Sequence, residues 1–231
     1  MKRAIVFVIA LVAGCTPVDS NVVATAKLRA DIQVVATGTG GATVSTWLFS
    51  HKDGDPPLNF ETIRIVDDDT LSAVSNGAVI PMEEVDLGVE YRYDAAFATA
   101  DSGQRFKVEL DRASDRSATD SAVTLPDPFT LTAPATASRS APLTLTWSPS
   151  GGPDPITINL SGCASKDLGP LPDTGATTVP GAALLADPSD ATCVLSIEVS
   201  RTRTGMLDGS YGQGGSIVAI QRRTTTLTSM P

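Results

Sequence analysis

The sequence predicts an all-β protein: two tandem antiparallel β-sandwich domains behind a short export leader. Three observations carry that prediction. Apolar residues recur at every second position in run after run, which is the period of a half-buried strand. No stretch of useful length shows the 3.6-residue period of a helix. Clusters of Gly, Pro, Asp and Asn separate the runs, as frequent turns between short strands require.

The elements follow in order. Lys2 and Arg3 give a positive start, and Ala4 to Ala13 form an unbroken apolar run. A bilayer's ~30 Å of hydrocarbon needs about twenty residues, so this run reads as a secretory leader. Thr16 to Ala24 shows no packing pattern and reads as tether. In KLRADIQVVA, Leu28, Ala30, Ile32 and Val34 share one face and Lys27, Arg29, Asp31 and Gln33 the other. GTGGA turns, and TVSTWLFS is a β-branched and aromatic run suited to a central strand, with strict alternation broken around Trp47. HKDGDPPLN is turn chemistry, because Asp53-Gly54 favours a tight turn and Pro56-Pro57 cannot continue a ladder. Ile63 and Ile65 point inward, and Asp67 to Gly88 reads as short strands and loops. VEYRYDAAF sets Val89, Tyr91, Tyr93, Ala95 and Phe97 on one face; after ADSG, RFKVEL returns with Phe106, Val108 and Leu110 inward, completing a hairpin.

DRASDRSATDS is polar, and VTLPDPFTLTAPATASRSAP carries four prolines, which puts a domain boundary near Pro126. Beyond it come PLTLTW with Leu143, Leu145 and Trp147 inward, and ITINL with Ile156, Ile158 and Leu160 inward. A long Pro/Gly loop runs to about Ser189. CVLSIEV follows with Cys193, Leu195, Ile197 and Val199 on one face, then the glycine-rich loop GMLDGSYGQGG and the closing strand SIVAIQRRTTTLT. The expected organisation is a leader over 1–14, a Cys15 tether over 15–24, one sandwich over 25–125 and a second over 126–231.

The halves share a plan. TVSTWLFS and LTLTWSPS match at Thr46/Thr146, Trp47/Trp147 and Ser50/Ser150, and similar strands follow at similar distances. Each half has the length of an immunoglobulin-like sandwich, about 100 residues. APLTLTWSPSGGPDPITINL resembles the opening of a fibronectin type III domain, a tryptophan-bearing strand followed by Pro/Gly-rich turns. LGVEYRYDAAFATADSG resembles that family's later strand, with Tyr91 where a tyrosine hydroxyl pins a corner. The second half departs from the pattern: it lacks that tyrosine and carries a long proline-rich loop.

Val12, Ala13 and Gly14 run directly into Cys15. That stretch resembles the lipobox of bacterial lipoproteins; the bland alternative is a general export signal with a chance cysteine. The resemblance implies cleavage before Cys15, a diacylglyceryl thioether and an N-acyl chain such as palmitate, enough chains for stable anchoring. Thr16 in place of Asp implies the outer membrane in a Gram-negative cell. With Cys15 assigned to lipid, Cys163 and Cys193 remain to pair in a compartment that permits disulfides. The competing reading is two free buried thiols. Closing this loop of about thirty residues would contribute ~3–4 kcal/mol in the chain-entropy model.

Charge narrows the partners. Losing Lys2 and Arg3 with the leader takes the net charge from −9 to −11. An acidic surface disfavours nucleic acid and electrostatic attachment to anionic lipid, so the lipid anchor must hold the membrane. The sole histidine, His51, sits in turn chemistry with no nucleophile motif beside it. Asp67, Asp68 and Asp69 are the candidate metal ligands, with Ca²⁺ the fitting ion, although consecutive Asp on an extended segment cannot all converge. Asn159 opens an NLS sequon to which a bacterial lipoprotein gives little meaning. Trp47 and Trp147 could stack on sugar, with burial in a sandwich core as the ordinary alternative; Tyr211 is the candidate exposed aromatic. The expected function is therefore a lipid-anchored, non-catalytic envelope protein that binds or spaces through the loops of two sandwiches, with a protein or glycan partner. The alternatives are a carbohydrate- or peptidoglycan-binding lipoprotein and a metal-dependent enzyme on a β scaffold.

Overall fold

The computed structural model describes residues 17–51, 60–88, 90–184 and 192–231; the leader and Cys15 lie outside the described residues. Among those described there are strands and short 3-10 turns and no α-helix. The first half holds β1 (Val18–Asp19), β2 (Leu28–Ala36), β3 (Ala42–His51), β4 (Phe60–Arg64), β5 (Thr70–Ser75), β6 (Ala78–Pro81), β7 (Glu83–Asp86), β8 (Tyr91–Phe97), β9 (Arg105–Asp111) and β10 (Ala118–Thr124). The second half holds β11 (Thr130–Thr132), β12 (Thr136–Ser138), β13 (Leu143–Ser148), β14 (Ile156–Gly162), β15 (Lys166–Leu171), β16 (Ala176–Val179), β17 (Cys193–Thr204) and β18 (Gly215–Met230). The chain is all-β, as expected.

One 11-stranded sheet has the order β1-β4-β3-β2-β18-β17-β14-β15, with β8 on β3, β7 on β8 and β12 on β18. A four-stranded sheet, β10-β9-β5-β6, faces its first part, and a three-stranded sheet, β11-β13-β16, faces its second. Each pairing encloses a core. Leu28, Ile32 and Val44 of the long sheet meet Leu71, Phe106 and Val108 of the four-stranded one. Ile158, Leu160 and Ile197 meet Leu145, Trp147 and Val179 in the other core. Burying each such large apolar side chain contributes about 1.5–3 kcal/mol.

Strict alternation holds through β3, where it was expected to break: Ala42, Val44, Thr46, Leu48 and Ser50 are buried. The inner face of β3 accepts two hydroxyl residues while its outer face carries Trp47 and Phe49, so the polar/apolar pattern hides the period. Trp47 is thus half-buried on the outer face while Trp147 is in the second core. The two tryptophans are not structurally equivalent, despite the offset of one hundred between them.

The segment expected as tether is packed from Val18 onward. β1 pairs in parallel with β4, Val18 opposite Ile63. Ser20 is buried and its Oγ donates to Asp69 Oδ2 at 2.7 Å. Arg112 donates to the Ser20 carbonyl at 2.6 Å and to the Val23 carbonyl at 3.0 Å. Backbone carbonyls without a ladder partner are satisfied by a buried guanidinium, which the local sequence does not announce.

β18 is the strand both cores share. Gly215 to Gln221 pair in parallel with Ala30 to Ala36 of β2, while Thr228 to Met230 pair in parallel with β12. β17 runs antiparallel along it, from Cys193 opposite Ser229 to Thr204 opposite Val218. Ile217 and Ala219 lie in the first core and Leu227 in the second. Residues 126–231 therefore do not all serve one core, because the last hairpin returns to the first. A Cβ on Gly215, at φ +120°, would stand 1.9 Å from the Ala30 carbonyl oxygen, so only glycine lets β18 join β2 there.

The cores meet where Pro126 was expected to divide them, since Leu125 belongs to the first and Phe129 to the second. Three arginines of the long sheet hold the connecting segment. Arg203 donates to the Leu125 carbonyl at 3.4 Å, Arg201 to that of Asp127 at 2.7 Å, and Arg223 Nε to that of Phe129 at 2.8 Å. Arg201 and Arg223 also stand over the Phe129 ring, 5.1 and 5.2 Å from its centroid. Burial, and then the neighbouring Arg201 charge, push the Arg223 guanidinium below its ordinary pKa.

Candidate functional site

Cys163 and Cys193 form a disulfide with Cα atoms 5.9 Å apart, joining the segment after β14 to the start of β17. The three aspartates part company. Asp67 sits in the left-handed region at φ 56° and accepts a hydrogen bond from Asn21; Asp68 points to solvent. Asp69 is buried against Arg112, with Oδ2 2.8 Å from Nε and side chains 2% and 1% exposed. Its other oxygen accepts from the Ala113 amide at 3.0 Å. The left-handed turn fans consecutive side chains apart and Arg112 occupies the buried one, so the proposed calcium ligands are not assembled. Among the described residues no three His, Cys, Asp or Glu side chains group as a metal site.

Tyr211 is likewise not the expected exposed aromatic. It is 4% exposed within the first core. The glycine-rich loop turns its side chain inward: the Tyr211 amide donates to the Asp208 carbonyl, and Gln213 donates to that of Leu28. Burial raises the hydroxyl's pKa above the usual tyrosine range. The corner tyrosine is Tyr93, two residues beyond the expected Tyr91. Its hydroxyl accepts from the Ile65 amide at 2.8 Å and donates to the Ile63 carbonyl at 3.3 Å, and burial raises its pKa to about 12. Tyr91, half-buried, takes Arg64 over its ring.

The outer face of the long sheet gathers what remains. On β3, Trp47 stands opposite Asp31 and Phe49 opposite Arg29 of β2, and Ser216 of β18 flanks Asp31. Arg29 Nε donates to Asp31 Oδ2 at 2.8 Å, and this bond raises the guanidinium's pKa. The strip continues onto β4: the Phe60 ring lies 6.3 Å from that of Phe49 and 5.7 Å from the His51 ring, with Arg29 above it at 5.6 Å. Trp47, Phe49, Arg29, Asp31, Gln33 and Glu90 line a shallow depression of about 330 Å³. Beside it, a second depression of about 470 Å³ contains Thr43, Ser45, Arg92, Asp94 and Arg222. Arg92 grips Asp94 through Nε and Nη2, the latter at 2.8 Å.

No protein-family model matches the sequence, and no curated protein does. Several solved structures are similar to the chain. One is a chimeric titin Z1Z2-Z1Z2 tandem, 14% identical, covering 87% of this chain and 95% of its own at a TM-score of 0.24. A two-domain fibronectin type III segment from chicken tenascin is 11% identical, covering 85% and 97%, TM-score 0.22. A Bacteroides ovatus mixed-linkage glucan utilization protein, SGBP-B, solved with a heptasaccharide, is 10% identical, covering 88% and 60%, TM-score 0.23. Scores this low leave the sandwich assignment resting on the layers and strand order described above.

Chemically, the outer face offers apolar rings beside a guanidinium, carboxylates and an amide, that is, stacking surfaces next to hydrogen-bond donors and acceptors. The sequence offers Trp47 as a possible sugar platform but does not mark Phe49, Phe60, Arg29 and Asp31 beside it. A signal was present: β3 is apolar on both faces, whereas a sandwich strand needs only one.

Proposed function

We propose that this protein is a lipid-anchored envelope protein, held through Cys15, that works without catalysis by presenting a rigid binding face. The observation that carries the reading is the outer face of the long sheet. It spans both cores and presents Trp47, Phe49 and Phe60 where a purely structural sandwich would keep polar residues. The VAGC stretch supports the anchor, and Thr16 supports the outer membrane. Because packed structure begins at Val18, an acyl anchor on Cys15 would leave almost no tether and hold the body close to the lipid. The dispersal of Asp67, Asp68 and Asp69 weighs against a metal-dependent enzyme.

Membrane fractionation of Cys15→Ser tests the anchor. The variant is expected in the soluble fraction; its retention in the membrane fraction overturns the anchor. Cross-linking in intact cells from a photo-reactive group at position 60 tests the binding face. A captured cell component is the expected result, and none over repeated conditions would leave the protein a spacer.

A further inference from the structure

We propose that the Trp47–Phe49–Phe60 strip is a binding site for an extended, neutral, β-linked glycan chain. The inference deepens the binding-face reading and names its ligand class. Same-face neighbours on a strand stand about 7 Å apart, so Trp47 and Phe49 offer successive flat platforms along β3. Phe60, on the neighbouring β4, adds a third ring 6.3 Å from that of Phe49 and tilted 59° to it. Each step is close to the length of one pyranose unit, and the apolar C–H face of a sugar stacks on such a ring. Rings set along one extended strand suit the ribbon of a β-1,4-linked chain, because an α-1,4 chain curls away from it.

The polar groups fit the same ligand. Arg29, Asp31, Gln33, Glu90 and Ser216 line the depression. They supply donors and acceptors side by side, which is what hydroxyl groups, each both donor and acceptor, require. Charge selects against anionic polymers: the depression holds one guanidinium against two carboxylates, on a chain whose net charge is −9. A peptide added as an extra strand has no foothold. β3 is paired with β2 on one side and with β4 and β8 on the other, so its backbone groups are already used. The shallowness of the site favours a chain lying across it over a small molecule enclosed within it.

The test uses the full chain, disulfide intact, in a zwitterionic detergent free of sugar. Cellohexaose, chitohexaose, xylohexaose and mannohexaose are titrated while tryptophan emission and heat are recorded. At least one is expected to bind saturably and to change Trp47 emission. Trp47→Ala should weaken that binding by about tenfold or more. Phe60→Ala, at an exposed position that bears little on folding, should weaken it several-fold. Val79→Ala, on the exposed β6 of the opposite sheet, should leave it unchanged. Absence of binding by all four sugars overturns the proposal, as does equal binding by wild type and both aromatic variants. Self-association abolished by Trp47→Ala, or capture of a protein at position 60, assigns the strip to a protein occupant and also overturns it. None of these results touches the anchor, which Cys15→Ser tests separately.

Discussion

Asp173 and Tyr93 are single residues on which much of the packing depends. Asp173 accepts from Trp147 Nε1 at 2.5 Å and from the Gly152 amide at 3.1 Å. It also pairs with Arg201 at 2.8 Å, the two side chains 0% and 3% exposed. Asp173→Asn leaves the Arg201 charge buried without its counter-ion, which costs about 3–5 kcal/mol. Denaturant unfolding should register that loss. Arg222→Ala, which breaks the half-exposed pair with Glu198, should cost no more than about 1 kcal/mol. Tyr93→Phe strands the Ile65 amide and should cost about 1–3 kcal/mol. Tyr93 also sets an alkaline limit. Its folded pKa, about 12, lies above the unfolded value near 10, so its contribution is complete below the unfolded pKa and declines as pH rises through about 12. A melting series across that window should show the wild type losing more stability than Tyr93→Phe. Neither residue's role could be read locally: the tyrosine's partners lie 28 and 30 residues away and the Asp173 partner Trp147 lies 26 away.

At the scale of elements, period-two alternation was a sound guide to faces and a poor one to neighbours. It found β2, β8, β9, β13, β14 and β17 with the correct residues inward, because burial on one face writes itself into the sequence. It could not tell that β18 lies beside β2, a pairing between residues about 185 positions apart. It also gives no sign of the Val18–Ala24 segment, whose short 3-10 turn is held by Arg112 and Asp69 rather than by its own apolar pattern. The candidate face shows the same limit. Trp47 and Phe49 were visible as aromatics, but which face they took followed only from the register of β3 against β2. Residues that recognise one another across strands leave no mark on either strand alone.

For the molecule as a whole, the continuous sheet couples the two cores. Their Trp reporters lie apart, Trp147 in the second core and Trp47 on the outer face of the first part. In each single-tryptophan variant, Trp47→Phe and Trp147→Phe, the emission of the remaining tryptophan and the far-UV circular dichroism should therefore melt with the same midpoint in thermal scans. Two separated transitions would show that β18 does not couple them. Ending the chain before Gly215 should unfold the first core as well as weaken the second, because β2 then loses the neighbour that carries Ile217 and Ala219.

The position of β18 also governs timing. Ordinarily the leading part of a polypeptide folds while the rest is still on the ribosome. Here β2 would stay open along one edge until β18, about 185 residues downstream, has been synthesised. Nascent chains would emerge without a finished core at either end.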